Sequence, residues 1–134
     1  MIFVDTSAWF AAYVPSDPQH AIVRQAIEAA SRLVTTDYVV DETLTLLRVR
    51  GHSQRALSLG TLFWEGRAAR LEYLQPADLQ QAWIIFSQFR DKAWSFTDCT
   101  SLAVMRRLGV TSAISLDAHF QQMPGIAVSP SASS

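Results

Sequence analysis

Short apolar, β-leaning runs alternate with stretches of helical period along the chain, and this alternation confines it to an α/β fold built on a parallel sheet. Met1 to Val4 is the first run; the Asp5-Thr6-Ser7 that follows offers turn and cap groups, and a short helix is predicted from about Ser7. Pro15 and Pro18 break the pattern, after which His20 to Ser31 has helical spacing and Leu33 to Thr35 forms a second strand. A helix from Asp37 or Tyr38 to Arg50 stops at Gly51, and another from Gln54 to Trp64 stops near Gly66. Arg70 to Leu74 is a third strand, Pro76 opens a helix to about Phe89, and Thr97 to Leu108 makes a helix closed by Gly109. Thr111 to Ser115 is a fourth strand and Ile126 to Val128 a weak fifth. The pattern predicts a central parallel sheet of about five strands covered on both faces, with ligand sites at the carboxyl ends of its strands. Asp5 and Asp117 follow strands one and four, so this topology makes neighbours of residues more than a hundred positions apart.

The 134 residues, 49% of them hydrophobic, suffice for one domain with its own core over 1–128, leaving 129–134 as a small, polar, frayed tail. A mean hydropathy of +0.12 is high for a soluble monomer and points to apolar surface covered by a partner or a second copy. No apolar stretch approaches the roughly 20 residues that span a bilayer, and no basic region precedes a signal-type core, so a soluble cytoplasmic protein is expected. Cys99 has no disulfide partner and no zinc-ligand spacing, in keeping with a reducing compartment and a packing role. With 11 basic and 12 acidic residues the net charge is −1, so any nucleic-acid binding needs a local patch.

Four acids stand where the fold would gather them: Asp5 after strand one, Glu42 in a helix, Asp98 at a helix start and Asp117 after strand four. Each has an ordinary alternative. Asp5 could equally cap the next helix, Thr97-Asp98 could be a plain helix start, and Asp117 could be a turn former. Glu42 shares a helical face with Val39, Leu46 and Val49, which puts a charge in an apolar stripe; the alternative is an ion pair with a core-edge Arg. Asp41, facing Thr45 and Arg48, is assigned no chemistry. Carboxylates within a few ångströms of one another repel, and some would keep their protons unless a cation neutralised them. All-oxygen donors without Cys or a His cluster favour Mg²⁺ or Mn²⁺ over zinc, and such ions activate water against a phosphodiester. Thr6, Ser7 and Thr97 could orient the carboxylates from behind, with Thr97 capping beside Asp98.

In these residues the chain resembles the PIN-domain ribonucleases, in particular the VapC-type toxins of bacterial and archaeal toxin–antitoxin pairs. The resemblance spans nearly the whole chain and rests on Val4-Asp5-Thr6-Ser7-Ala8-Trp9, Asp41-Glu42-Thr43-Leu44, Phe96-Thr97-Asp98-Cys99 and Leu116-Asp117-Ala118-His119-Phe120, in that order. It implies a PIN-like three-layer sandwich in which Asp5, Glu42, Asp98 and Asp117 coordinate Mg²⁺ or Mn²⁺ for endonucleolytic cleavage of RNA, Asp117 being the least constant contributor. It also implies a homodimer and a small cognate antitoxin. Family members often carry Asn beside the fourth acid, where this chain has Leu116.

Arg90 and Lys92 precede Asp98 and could grip RNA phosphates; Trp94 between them and the acid is expected in the core rather than stacked on a base. Arg48, Arg50 and Arg55 could pair with an antitoxin carboxylate or simply complement helix ends. Leu57, Leu59, Leu62, Phe63 and Trp64 give a helix apolar on more than one side, suited to a partner or to a well-covered core. His20, His52 and His119 are scattered, and His119, beside Asp117, is expected to make a structural hydrogen bond rather than act in catalysis. Two other phosphoryl-transfer classes fail on their own signatures. Haloacid-dehalogenase-like phosphatases need a second Asp where this chain has Ser7, and response-regulator receivers need a late-strand Lys whereas the single lysine is Lys92. A catalytically silent PIN-like binding module, a stand-alone RNA-processing nuclease and a DNA flap nuclease stay as alternatives, the last disfavoured by the short chain.

Overall fold

The computed structural model describes residues 1–130. Five strands, β1 (Ile2–Val4), β2 (Leu33–Thr36), β3 (Arg70–Glu72), β4 (Ser112–Ile114) and β5 (Ala127–Ser129), form one sheet in the order β3-β2-β1-β4-β5. Every pairing is parallel, with Phe3 opposite both Val34 and Ala113. Ser129, expected in the tail, belongs instead to β5, and its carbonyl accepts from the Ser115 N–H at 3.0 Å. The remainder of the expected tail, 131–134, lies outside the described residues.

The helices are α1 (Thr6–Tyr13), α2 (His20–Ala29), α3 (Asp37–Val49), α4 (Ser53–Trp64), α5 (Pro76–Gln88), α6 (Phe96–Leu108) and α7 (Ala118–Gln121). The chain runs outward from β1 through β2 to β3, then returns to place β4 on the other side of β1. Right-handed crossovers therefore put α1 to α4 on one face and α5 and α6 on the other. This reversal opens a crevice between the carboxyl ends of β1 and β4, where open α/β sheets bind their ligands.

Packing fixes the strand ends beside that crevice. Trp9, buried on α1, meets Phe63 of α4 edge to face at 5.0 Å and donates its indole N–H to Thr35 Oγ1 at 3.3 Å. The Thr35 hydroxyl in turn donates to the Val4 carbonyl at 3.1 Å, anchoring the residue before Asp5. On the far side of β4, Phe120 of α7 is fully buried and stacks on Phe3 at 6.3 Å. Helices α5 and α6 are clamped by Arg107, which donates to both oxygens of the buried Asp78 (2.8 and 2.9 Å) and to Glu72 at 2.8 Å.

Helix α3 differs from the expected stripe. Val39, Val40, Thr43 and Leu47 face the core, while Val49 is 75% exposed. Glu42 thus stands at the margin of the buried stripe rather than inside it. On α4, Leu59 and Phe63 are buried whereas Leu57 and Trp64 face outward. On α5, Trp83, Ile84 and Phe86 are also exposed, the two aromatic rings stacked at 5.9 Å.

Candidate functional site

Asp5 takes the N-cap position of α1, yet its side chain makes no capping bond. Instead Oδ2 receives the hydroxyls of Ser7 at 3.2 Å and Ser115 at 3.0 Å, so the capping alternative fails and one carboxylate oxygen is held from behind. The hydroxyl lattice extends to the β4 turn: the Leu116 N–H donates to Ser7 Oγ and the Asp117 N–H to Ser115 Oγ. With 3% of its surface exposed, Asp5 is pushed up to about 7, mainly by burial. The Thr6 N–H and the Ser115 hydroxyl oppose the shift, and the charges of Asp98 and Asp117 add to it.

Asp98 lies at the third position of α6. Its Oδ2 accepts the Ser95 N–H at 2.9 Å while its own N–H donates to Ser95 Oγ at 3.0 Å, a reciprocal capping box. Ser95, rather than the expected Thr97, is therefore the cap. The spacing Ser95-Phe96-Thr97-Asp98 fits the box, whereas Thr97 already has helical backbone, and its carbonyl accepts from Thr100 Oγ1 at 2.6 Å. Burial again raises the Asp98 carboxyl above its ordinary range, with Asp117 adding to the rise and Ser95 and His119 opposing it.

Asp117, half-buried, caps α7 by accepting the His119 N–H at 2.9 Å. The imidazole faces the two acids: His119 Nδ1 is 3.4 Å from Asp98 Oδ2 and 3.4 Å from Asp117 Oδ1. One donor atom from each of Asp98, Asp117 and His119 fits within a 4.8 Å group. Glu42 stands half-buried on α3, outside that group, and its alternative ion pair with an Arg does not form among the described residues. Of the residues set behind the site, Ser7 bonds Asp5, while Thr6 Oγ1 is buried next to it without a partner among the described residues. Ser95 and Ser115 escape the sequence reading; the first could have been found from its capping-box spacing, the second only from the pairing of β1 with β4.

Arg90 and Lys92 are both exposed on the loop leading into α6 and border a cleft of about 250 Å³ shared with Phe86, Phe89 and Cys99. Trp94 is buried as expected and donates its indole N–H to Gln122 Oε1 at 3.0 Å. Among the described residues, no helix is long and apolar enough to cross a membrane.

The three-layer fold with a carboxylate-lined crevice at the strand reversal is that of a PIN domain, and residues 2–126 match the PIN domain family. The chain is 35% identical over 133 residues to the 23S rRNA-specific endonuclease VapC20 of Mycobacterium tuberculosis, covering 97% of this chain and 99% of that protein. It is 29% identical over 125 residues to ribonuclease VapC26 of the same organism, covering 91% of each. The crystal structure of M. tuberculosis VapC20, described as a sarcin–ricin loop cleaving toxin, matches with a TM-score of 0.88 at 29% identity over 94% of this chain and 97% of that one. FitAcB from Neisseria gonorrhoeae shares the fold, with a TM-score of 0.66 at 14% identity. The chain belongs to the PIN-domain family, in its VapC-type branch.

Proposed function

We propose that the protein is a Mg²⁺- or Mn²⁺-dependent endoribonuclease that hydrolyses RNA phosphodiester bonds as the toxin of a toxin–antitoxin pair. The observation that supports this reading is that Asp98 and Asp117 lie in one close group while Asp5, outside it, is near enough for both charges to raise its carboxyl, in a VapC-type chain. A hard cation fits such a donor set, because it relieves the charge that burial and crowding make costly. Asp5, Asp98, Asp117 and the longer-armed Glu42 would hold it. When bound, the ion would neutralise the carboxylates and polarise water for attack on phosphorus.

The chain's own groups then have separable tasks. Ser7 and Ser115 fix Oδ2 of Asp5, and Ser95 fixes Oδ2 of Asp98. Arg90 and Lys92, exposed ahead of α6, would hold flanking phosphates. The near full-length match to VapC20 makes the sarcin–ricin loop of 23S rRNA the substrate to try first. A small antitoxin and a homodimer belong to the same proposal, supported by the exposed apolar residues of α4 and α5, and so does a cytoplasmic setting.

The test is incubation of purified ribosomes and naked 23S rRNA with wild type, Asp5→Asn and Asp98→Asn in Mn²⁺, Mg²⁺ or EDTA. Discrete cuts by wild type that vanish in EDTA and in both variants are expected. Cleavage unaffected by EDTA or by the substitutions would sink the carboxylate mechanism.

A further inference from the structure

We propose that His119 is itself a ligand of the metal taken by the carboxylate site, giving that site one imidazole nitrogen among its oxygens and a preference for Mn²⁺ over Mg²⁺. The inference rests on the metal-dependent reading above and adds a donor to it.

Three observations converge on His119. Its Nδ1 stands 3.4 Å from a carboxylate oxygen of Asp98 and 3.4 Å from one of Asp117. Donors that share an ion at about 2.0–2.2 Å lie roughly 3–4.3 Å apart, and both His119 separations of 3.4 Å already fall in that range. The ring is also held in place through its backbone. The His119 N–H is tied to Asp117 Oδ1 at 2.9 Å, and the next residue, Phe120, is locked in the core against Phe3. Finally, among the described residues the ring makes no hydrogen bond, only the two longer contacts with carboxylates. His20 shows what such a bond looks like, with Nδ1 2.8 Å from the Ala11 carbonyl. His119 faces two carboxylates at longer range, with 34% of its side chain still exposed.

A neutral imidazole carrying its proton on Nε2 offers the Nδ1 lone pair to a metal. Mg²⁺ keeps to oxygen and holds its waters tightly, whereas imidazole suits the transition ions, so a single nitrogen in the set tilts the site toward Mn²⁺. On this proposal the site is mixed, where the sequence leads one to expect all-oxygen donors with His119 as a bystander.

The measurement is electron spin-echo envelope modulation of Mn²⁺ bound to the full chain, in wild type, His119→Ala and His119→Gln, alongside calorimetric titration with Mn²⁺ and Mg²⁺. Nitrogen modulation in wild type, absent from both variants while Mn²⁺ stays bound, is expected. Loss of the ring should weaken Mn²⁺ by at least about tenfold, the scale at which even outer partners of a ligand act, and Mg²⁺ by much less. Bound Mn²⁺ without nitrogen modulation in wild type, or modulation that persists in the variants, overturns the assignment and leaves the nuclease reading standing. No bound Mn²⁺ in wild type overturns both.

Discussion

The Ser115 hydroxyl donates to Asp5 Oδ2 at 3.0 Å across 110 positions of sequence. The same hydroxyl oxygen accepts the Asp117 N–H, so one small side chain couples the acid after β1 to the acid after β4. Ser115→Ala should leave the fold intact and cut RNA cleavage by roughly 10–100-fold, the usual cost of losing a group that orients a metal ligand. Ser115→Thr, which keeps the hydroxyl, should recover most of the activity. Equal rates for Ser115→Ala and wild type would show that Asp5 needs no such support.

Asp5 makes the metal-free protein sensitive to pH in a defined direction. Its carboxyl is raised from 3.8 to about 7 in the fold, so between those values the unfolded chain has already released a proton that the native state keeps. Stability therefore falls as pH rises from about 4 to about 7 and levels off above. Asp98, also raised, acts in the same sense. In EDTA, Asp5→Asn should melt several degrees above wild type at pH 8, on the order of what 1–2 kcal/mol does in a domain of this size, and close to it at pH 4. Coincident melts at pH 8 would contradict the raised carboxyl of Asp5.

Arg107 is a structural counterpart with the opposite pH signature. Its hydrogen bonds hold the Asp78 carboxyl below the usual range, so this pair stabilises the protein above about pH 4 and is lost as the pH drops through the lowered value. Arg107→Met should cost about 2 kcal/mol at pH 7, less than the 3–5 of a fully buried pair because Arg107 is 28% exposed. Urea titrations at pH 7 and pH 3 would read this out, with the difference shrinking at the lower pH.

Gly109 ends α6 in the left-handed region at φ 69°, and a Cβ there would meet nothing within 4 Å. Gly109→Ala should thus cost only the backbone term, about 1 kcal/mol, with Gly109→Asn costing less. A loss of 3 kcal/mol or more by chemical denaturation would mean that the turn packs more tightly than its open surroundings indicate.

Elements whose signal is local are legible in the residues themselves. The run Ile2-Phe3-Val4 and the helix from Pro76 lie within a residue or two of their expected limits, because apolar period and helix-start chemistry act over a few neighbours. Helix α7 escapes such a reading because its four residues are too few to show a period. The neighbour relation of Asp5 and Asp117 follows from parallel topology, but the strand order does not, since nothing in β1 says that β4 rather than β3 lies beside it. His119 illustrates the same limit. Its link to Asp117 is one helical turn of local chemistry, whereas its approach to Asp98 needs the end of β4 to meet the start of α6.

The separation of Asp5 from Ser115 and Asp117 has a consequence in time. Ribosomes add about 5–20 residues per second, so roughly 5–20 s pass between synthesis of the first carboxylate and synthesis of the serine that anchors it. Throughout that interval the nascent chain holds β1 without its central partner β4, and the acids that would grip an ion are not yet together. A nuclease assembled this way has no complete carboxylate site until Ser115 and Asp117 have been synthesised.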